Sequence, residues 1–136
     1  MSAVVAFALA SVLHVGFQVT VTTLVYPALA AVHPSEWTQA HALHSRRIVG
    51  LVVIVYAALL GTGIALVVSG PDLAGWLGLL GALGALGVTA TLAAPTHGRL
   101  RQVEPDLLRR LLRVDRLRRT FAVLGGIAAV VAAATA

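Results

Sequence analysis

The chain has 136 residues, 59% hydrophobic and 11% charged, with ten basic residues against five acidic, five histidines and no cysteine. That allows one domain at most and too few charges to cover a soluble one, where roughly a quarter of residues are charged. Missing cysteine excludes disulfides, thiolate metal sites and cysteine nucleophiles. Nucleic-acid binding is set aside as well, because the arginines flank apolar runs, where topology and anionic headgroups account for them.

The first predicted element is a helix over about residues 3–32. No charged side chain occurs from Met1 to Ser35, more than the ~17–25 residues a helix needs to cross hydrocarbon. The segment lacks a positive start and its apolar run is longer than that of a secretory signal, so it reads as a retained transmembrane helix. Pro27 lies near its end. Ser11, His14, Gln18, Thr22 and Tyr26 follow one another at spacings of three, four, four and four. They form one polar stripe on an otherwise apolar helix. Hydroxyl, amide and imidazole groups are costly in lipid, so the stripe should face the bundle interior. It either fixes packing through interhelical hydrogen bonds or lines a substrate or proton path. His14 speaks for the second, since imidazole can change charge near neutral pH.

The second helix is predicted over about 35–69, after Pro34 and with Ser35 as its N-cap. Its first turns, Glu36 to Arg47, are polar and belong in the interface or cytosol. Tyr56 is a further polar group within this span. His41 and His44 are three apart and share a helix face; His33 and His97 fall at the same end. His41, His44 and His97 are an adequate ligand set for a transition metal, and serve equally as acid–base groups without one. A bis-histidine haem within the bilayer is disfavoured, because His14 has no partner at its depth on another helix. Ser69 to Asp72 (SGPD) reads as a tight turn.

A third helix is predicted over about 73–94, closed by Pro95, with glycine at 75, 78, 81, 84 and 87. In a membrane helix such glycines permit close backbone approach, within the chain or in a homo-oligomer. The connection from Pro95 to Arg119 contains an amphipathic segment, about 105–116. There Leu107, Leu108, Leu111 and Leu112 alternate with Arg109, Arg110, Arg113 and Arg116. It reads as an interfacial helix with leucines in the lipid and guanidiniums snorkelling out, either an anchor or a lid. Asp115 and Arg119 are four apart, the spacing of a helical ion pair, and Asp115 falls on the apolar side, where it can turn toward the histidines. The fourth helix is predicted over about 117–136.

The expected fold is therefore an all-α bundle of four transmembrane helices in a single membrane domain, 1–136. All ten arginines lie in or beside the 1–2 and 3–4 connections, at Arg46, Arg47, Arg99, Arg101, Arg109, Arg110, Arg113, Arg116, Arg118 and Arg119. The positive-inside bias makes that side cytoplasmic, so both termini are expected outside the cell, in the inner (plasma) membrane.

Four stretches carry a resemblance: Gly16 to Pro27 (GFQVTVTTLVYP), His41 to Arg47 (HALHSRR), Pro95 to Leu100 (PTHGRL) and Asp115 to Thr120 (DRLRRT). Together they resemble the small bacterial four-helix membrane proteins of the anthrone-oxygenase-like group. Members often carry Asn or His, sometimes with a nearby Trp, before the arginine that opens helix 4; here Asp115 stands there without Trp. The resemblance implies an oxidative enzyme or auxiliary protein acting on a lipophilic aromatic substrate, with Tyr26, His41, His44, His97 and Arg119 as the carried-over positions.

The expectation from sequence is an oxidoreductase-like enzyme at the cytoplasmic end of the bundle. A lipophilic small molecule would enter from the bilayer. Tyr26, His41, His44, His97, Asp115 and Arg119 would be its catalytic groups; His14, Gln18, Thr22 and Ser11 would bind substrate. Two other readings remain open: a non-catalytic subunit packing through helix 3, and a small oligomeric transporter or channel.

Overall fold

In the computed structural model, residues 1–100, 102 and 104–136 are described; Arg101, counted above among the arginines, lies outside them. Four helices, α1 (Ala3–Ala30), α2 (Trp37–Ser69), α3 (Leu73–Arg99) and α4 (Pro105–Thr135), are each long and apolar enough to cross a membrane. Among the described residues there is no strand. The 1–2 and 3–4 connections meet at one end of the bundle, where the Trp37 indole N–H donates to the Leu100 carbonyl over 3.3 Å. The 2–3 turn and both termini meet at the other, with Ser2, Gly70, Pro71 and Ala136 around one depression. All described arginines thus belong to one end.

Lipid tails are as apolar as leucine, so close van der Waals packing, rather than exclusion from water, must hold such helices together. The tightest seam is α3 on α4. A Cβ on Gly81 would sit 2.4 Å from the Gly125 Cα, and one on Gly84 would sit 2.6 Å from the Phe121 ring. Gly78 meets Phe7 and the Ala129 backbone in the same way. These α3 glycines are engaged inside the chain. α4 also packs against α1, and α2 leans on α1, but α2 and α3 touch only sparsely. The turn between them closes at Gly70, with φ 76°, a left-handed conformation that suits glycine. Asp72 then caps α3 by accepting from the Gly75 N–H at 2.7 Å. Beyond that turn the two helices diverge and leave a lateral gap.

Several expected boundaries move. α1 ends at Ala30, and α2 starts at Trp37 with Glu36 before it. Ser35 does not cap; its hydroxyl contacts His33 Nδ1 at 2.8 Å instead. Pro95 does not close the third helix, which continues to Arg99. A π-helical turn, Thr89–Ala93, stands immediately before it, as Val21–Val25 does before Pro27. Proline lacks an N–H and its ring collides with the carbonyl one turn back; a wider turn at that point accommodates the ring without ending the helix.

The largest correction concerns the 105–116 segment. It is not a separate interfacial helix, because α4 runs unbroken from Pro105 to Thr135. No glycine or proline interrupts 106–124, and Leu and Arg are good helix formers. Leu111 is fully buried with Val21, Tyr26, Leu29, Trp37 and Leu100, and Leu107, Leu108 and Leu112 pack around that cluster. Leu111 is thus covered by protein, and the other three leucines are partly covered.

Candidate functional site

The polar stripe of α1 faces inward. Ser11, His14, Gln18 and Tyr26 are buried and Thr22 is half-buried. Opposite it stands α4, whose buried residues Leu111, Asp115, Arg118, Ala122, Gly125, Ala129 and Ala132 alternate at spacings of four and three, the seam of a packed helix. Asp115, only 1% exposed, therefore points at α1. Its Oδ1 accepts from Gln18 Nε2 at 2.8 Å and from Arg118 Nη2 at 2.6 Å. Its Oδ2 lies 2.6 Å from the Thr22 hydroxyl. A buried carboxylate needs such partners, since leaving it bare in a low-dielectric interior is strongly unfavourable.

The ion-pair partner is Arg118 and not Arg119, which correct phase explains: 118 lies on the inward seam, whereas 119 is one residue off it and half-exposed. Arg118 is only 5% exposed.

The histidines approach from the other side. The His97 ring centre lies 4.4 Å from that of His41 and 5.5 Å from that of His44. Tyr26 is 6.2 Å from His44 and 6.5 Å from His97. His41 stacks on Trp37 at 5.3 Å and 16°. His33 is exposed and takes no part. Among the described residues no group of three His, Asp or Glu side chains is arranged to hold a metal ion; His97 Nε2 is engaged by Ser45 and His41 is held by the indole, so the expected His41, His44 and His97 ligand set has no coordinating geometry.

The Ser45 hydroxyl has one hydrogen and lies 2.8 Å from the His41 carbonyl and 3.0 Å from His97 Nε2. Donated to the carbonyl, that hydrogen leaves the Ser45 oxygen to accept from Nε2–H of neutral His97; donated to Nε2, it goes with the Nδ1–H tautomer. The other ring nitrogen, Nδ1, is buried with no partner among the described residues. Deeper in the bundle the Tyr56 and Thr89 hydroxyls are 2.7 Å apart, and Thr89 also lies 2.7 Å from the Ala85 carbonyl. The His14 ring lies 5.1 Å from that of Tyr56.

Two recesses occupy the gap between α2 and α3. Toward the arginine-bearing end a cavity of about 270 Å³ is lined by Tyr26, His44, Ser45, Thr89, His97 and Arg118, with apolar walls from Phe17, Ile48 and Val52. Toward the termini a groove of about 240 Å³ is lined by apolar side chains, Phe7, Leu59, Leu79 and Leu83 among them, and by Tyr56 at one end. The Tyr56–Thr89 pair marks the boundary between the two.

Several buried polar atoms have no hydrogen-bond partner among the described residues: His97 Nδ1, His41 Nε2, Arg118 Nε, Gln18 Oε1, His14 Nε2 and Ser11 Oγ; of these, only His97 and Arg118 are on side chains that line the cavity. Most buried polar groups in proteins are paired, and in lipid the alternative partner, water, is scarce.

The structure thus brings Tyr26, His44 and His97 to one cavity and joins Gln18, Thr22 and Asp115 in one network. Ser11 and His14 stand deeper, and His41 lies behind His97. Arg118, Ser45 and Thr89 are the polar groups that sequence reasoning missed. For Arg118 a signal existed in the four–three seam of α4; for Ser45 and Thr89 there was none beyond their lying on the inner half of a helix. No family model, no curated protein and no solved structure matches the chain.

Proposed function

We propose that the protein is a multi-pass enzyme of the plasma membrane that acts on a lipophilic small molecule by proton transfer at the cavity between α2 and α3. The arginine-bearing end lies in the cytosol and both termini lie outside, as the positive-inside bias requires. The substrate enters sideways from the bilayer, where the two helices part, and places its polar end among Tyr26, His44, His97 and Arg118. Ionisable groups inside a membrane protein are costly and mark function more often than architecture.

The observation that carries this reading is a laterally open cavity whose wall brings Tyr26, His44, His97 and Arg118 together. An imidazole beside a phenol and a second imidazole is equipped to take up and return a proton. Arg118, held by Asp115, supplies fixed positive charge where negative charge would develop on substrate oxygen. Tyr26 and His44 stand within reach of the same space and can return a proton. An oxidative step, which the resemblance to the anthrone-oxygenase-like group implies, rests on that resemblance alone.

The test is turnover in D₂O. Protein in proteoliposomes is given medium-chain compounds ending in ketone, alcohol, phenol or carboxyl groups, and deuterium incorporation or conversion is followed by mass spectrometry. The expected result is protein-dependent exchange or conversion of at least one compound, abolished in His97→Gln. Exchange that is absent throughout, or that persists unchanged in the variant, contradicts the proposal.

A further inference from the structure

We infer that the protein binds an anionic glycerophospholipid on its outer face between α1 and α2, with the lipid phosphate on Arg47. The site is separate from the cavity between α2 and α3 and does not rest on the reading of that cavity. An open recess of about 460 Å³ follows the α1–α2 seam, walled by Phe17, Val21 and Val25 of α1 and by Leu43, Ile48 and Leu51 of α2. Among the described residues that line it, Arg47 alone carries a permanent charge. Thr20 lines it too, but the Gly16 carbonyl engages the Thr20 hydroxyl at 2.9 Å. The recess therefore offers an occupant one cation and otherwise mostly hydrocarbon.

Depth selects the kind of occupant. The uncharged stretch of α2, Ile48 to Ser69, is roughly 33 Å long at 1.5 Å per residue, close to the ~30 Å of a bilayer's hydrocarbon core. Arg47 thus stands at the level of the phosphates of the leaflet on the arginine-bearing side. Ile48, Leu51 and Phe17 stand beneath it among the acyl chains. A phosphodiester with a chain hanging from it has the same order, anion first and hydrocarbon below. The guanidinium fork matches two phosphate oxygens at once.

Charge separates an anionic lipid from a zwitterionic one. The ion pairs among the described residues are Arg109–Asp106 and Arg118–Asp115, so no carboxylate neutralises Arg47, which is exposed. Glu36, the acid at the start of α2, is roughly 16 Å away along the helix axis. A zwitterionic headgroup brings its own ammonium, which competes with Arg47 for the phosphate and meets Arg46 and Arg47 as like charges. An anionic headgroup brings no such competitor. Juxtamembrane arginines attract anionic lipids in general; the recess adds a fixed place for one chain. Phe17, His44 and Ile48 line both this recess and the α2–α3 cavity, so the lipid lies against the back of the cavity wall.

The experiment is native mass spectrometry of the delipidated full-length protein in mild detergent. It is titrated with a phosphatidylglycerol, with a phosphatidylethanolamine of the same chains, or with glycerol phosphate, which has no chain. Phosphatidylglycerol should bind at least about tenfold more tightly than phosphatidylethanolamine, the ratio that one charge-assisted hydrogen bond supplies. Arg47→Gln should remove that preference. Arg46→Gln, a change at the adjacent cation that does not line the recess, should leave it nearly intact. Thr20→Trp fills the recess, keeps both arginines, and should weaken binding as Arg47→Gln does. In proteoliposomes, phosphatidylglycerol with a diazirine in its acyl chain should label peptides holding Phe17 and Leu51. Equal binding of the two lipids overturns the proposal, and so do equal losses in Arg46→Gln and Arg47→Gln. Binding untouched by Thr20→Trp, or glycerol phosphate bound as tightly as the lipid, overturns it as well. A protein dimer that forms as lipid is removed and is lost in Thr20→Trp gives the recess to a second copy, which also overturns it.

Discussion

The two ends of the bundle solve the same packing problem in opposite ways. Toward the termini, α3 and α4 press backbone to backbone at Gly81 and Gly125, with Phe7, Leu59, Leu66, Leu79 and Ala129 filling the core around them. Toward the arginines, α1 and α4 are joined by a buried carboxylate with three donors, and the histidine side of the core keeps polar atoms unsatisfied. The first end relies on steric fit; the second relies on buried polar groups, which are costly in a membrane and mark where function is to be sought.

The sharpest way to break the comparison is to attack the glycine seam. Gly81→Leu drives a side chain into the Gly125 backbone, where nothing flexible can give way. It should cost more than about 3 kcal/mol and yield no monodisperse protein by size-exclusion chromatography in mild detergent. A well-folded variant would mean that α3 and α4 are not in backbone contact.

Next in size is the ion pair. Asp115→Ala strands a buried guanidinium and should lower stability by about 3–5 kcal/mol, read as a drop in thermal midpoint in detergent. Adding Arg118→Leu should recover much of that loss, because the stranded charge goes with it. The double variant should remain inactive while folded, which separates the two ends cleanly: stability restored, chemistry not.

Smaller effects sharpen the picture further. Thr22→Val removes a hydroxyl bonded to a buried carboxylate and should cost about 1–3 kcal/mol. Tyr56→Phe removes one side of the Tyr56–Thr89 contact while Thr89 keeps the Ala85 carbonyl as a partner. It should cost about 1 kcal/mol, read as a small drop in thermal midpoint.

Much of this was readable in the chain. Four charge-free windows, parted by the two arginine-bearing connections and by Asp72, dictated four spans, because hydrocarbon admits so few alternatives. The stripe Ser11–His14–Gln18–Thr22–Tyr26 announced an inward face, because 3.6 residues per turn fixes which side chains share a side. Arg118 was readable too, from the seam Leu111–Asp115–Arg118–Ala122, yet the i,i+4 spacing of Arg119 drew the eye to the wrong neighbour. Pro95 misled for a different reason. Proline forbids an ordinary helical interior, and sequence does not reveal the π turn that accommodates it. The gap between α2 and α3 was invisible as well. Sequence neighbours joined by a tight turn normally pack together; here α4 takes the glycine face of α3, and only the assembled bundle shows that.

The most direct test of an incomplete polar end is the protonation pattern of His97. In bilayers, ¹⁵N solid-state NMR of histidine-labelled protein, with the resonance assigned by its loss in His97→Gln, reports each ring nitrogen separately. A neutral ring with one bare nitrogen, disturbed by Ser45→Ala, is the predicted result. A ring protonated at both nitrogens at neutral pH contradicts the account.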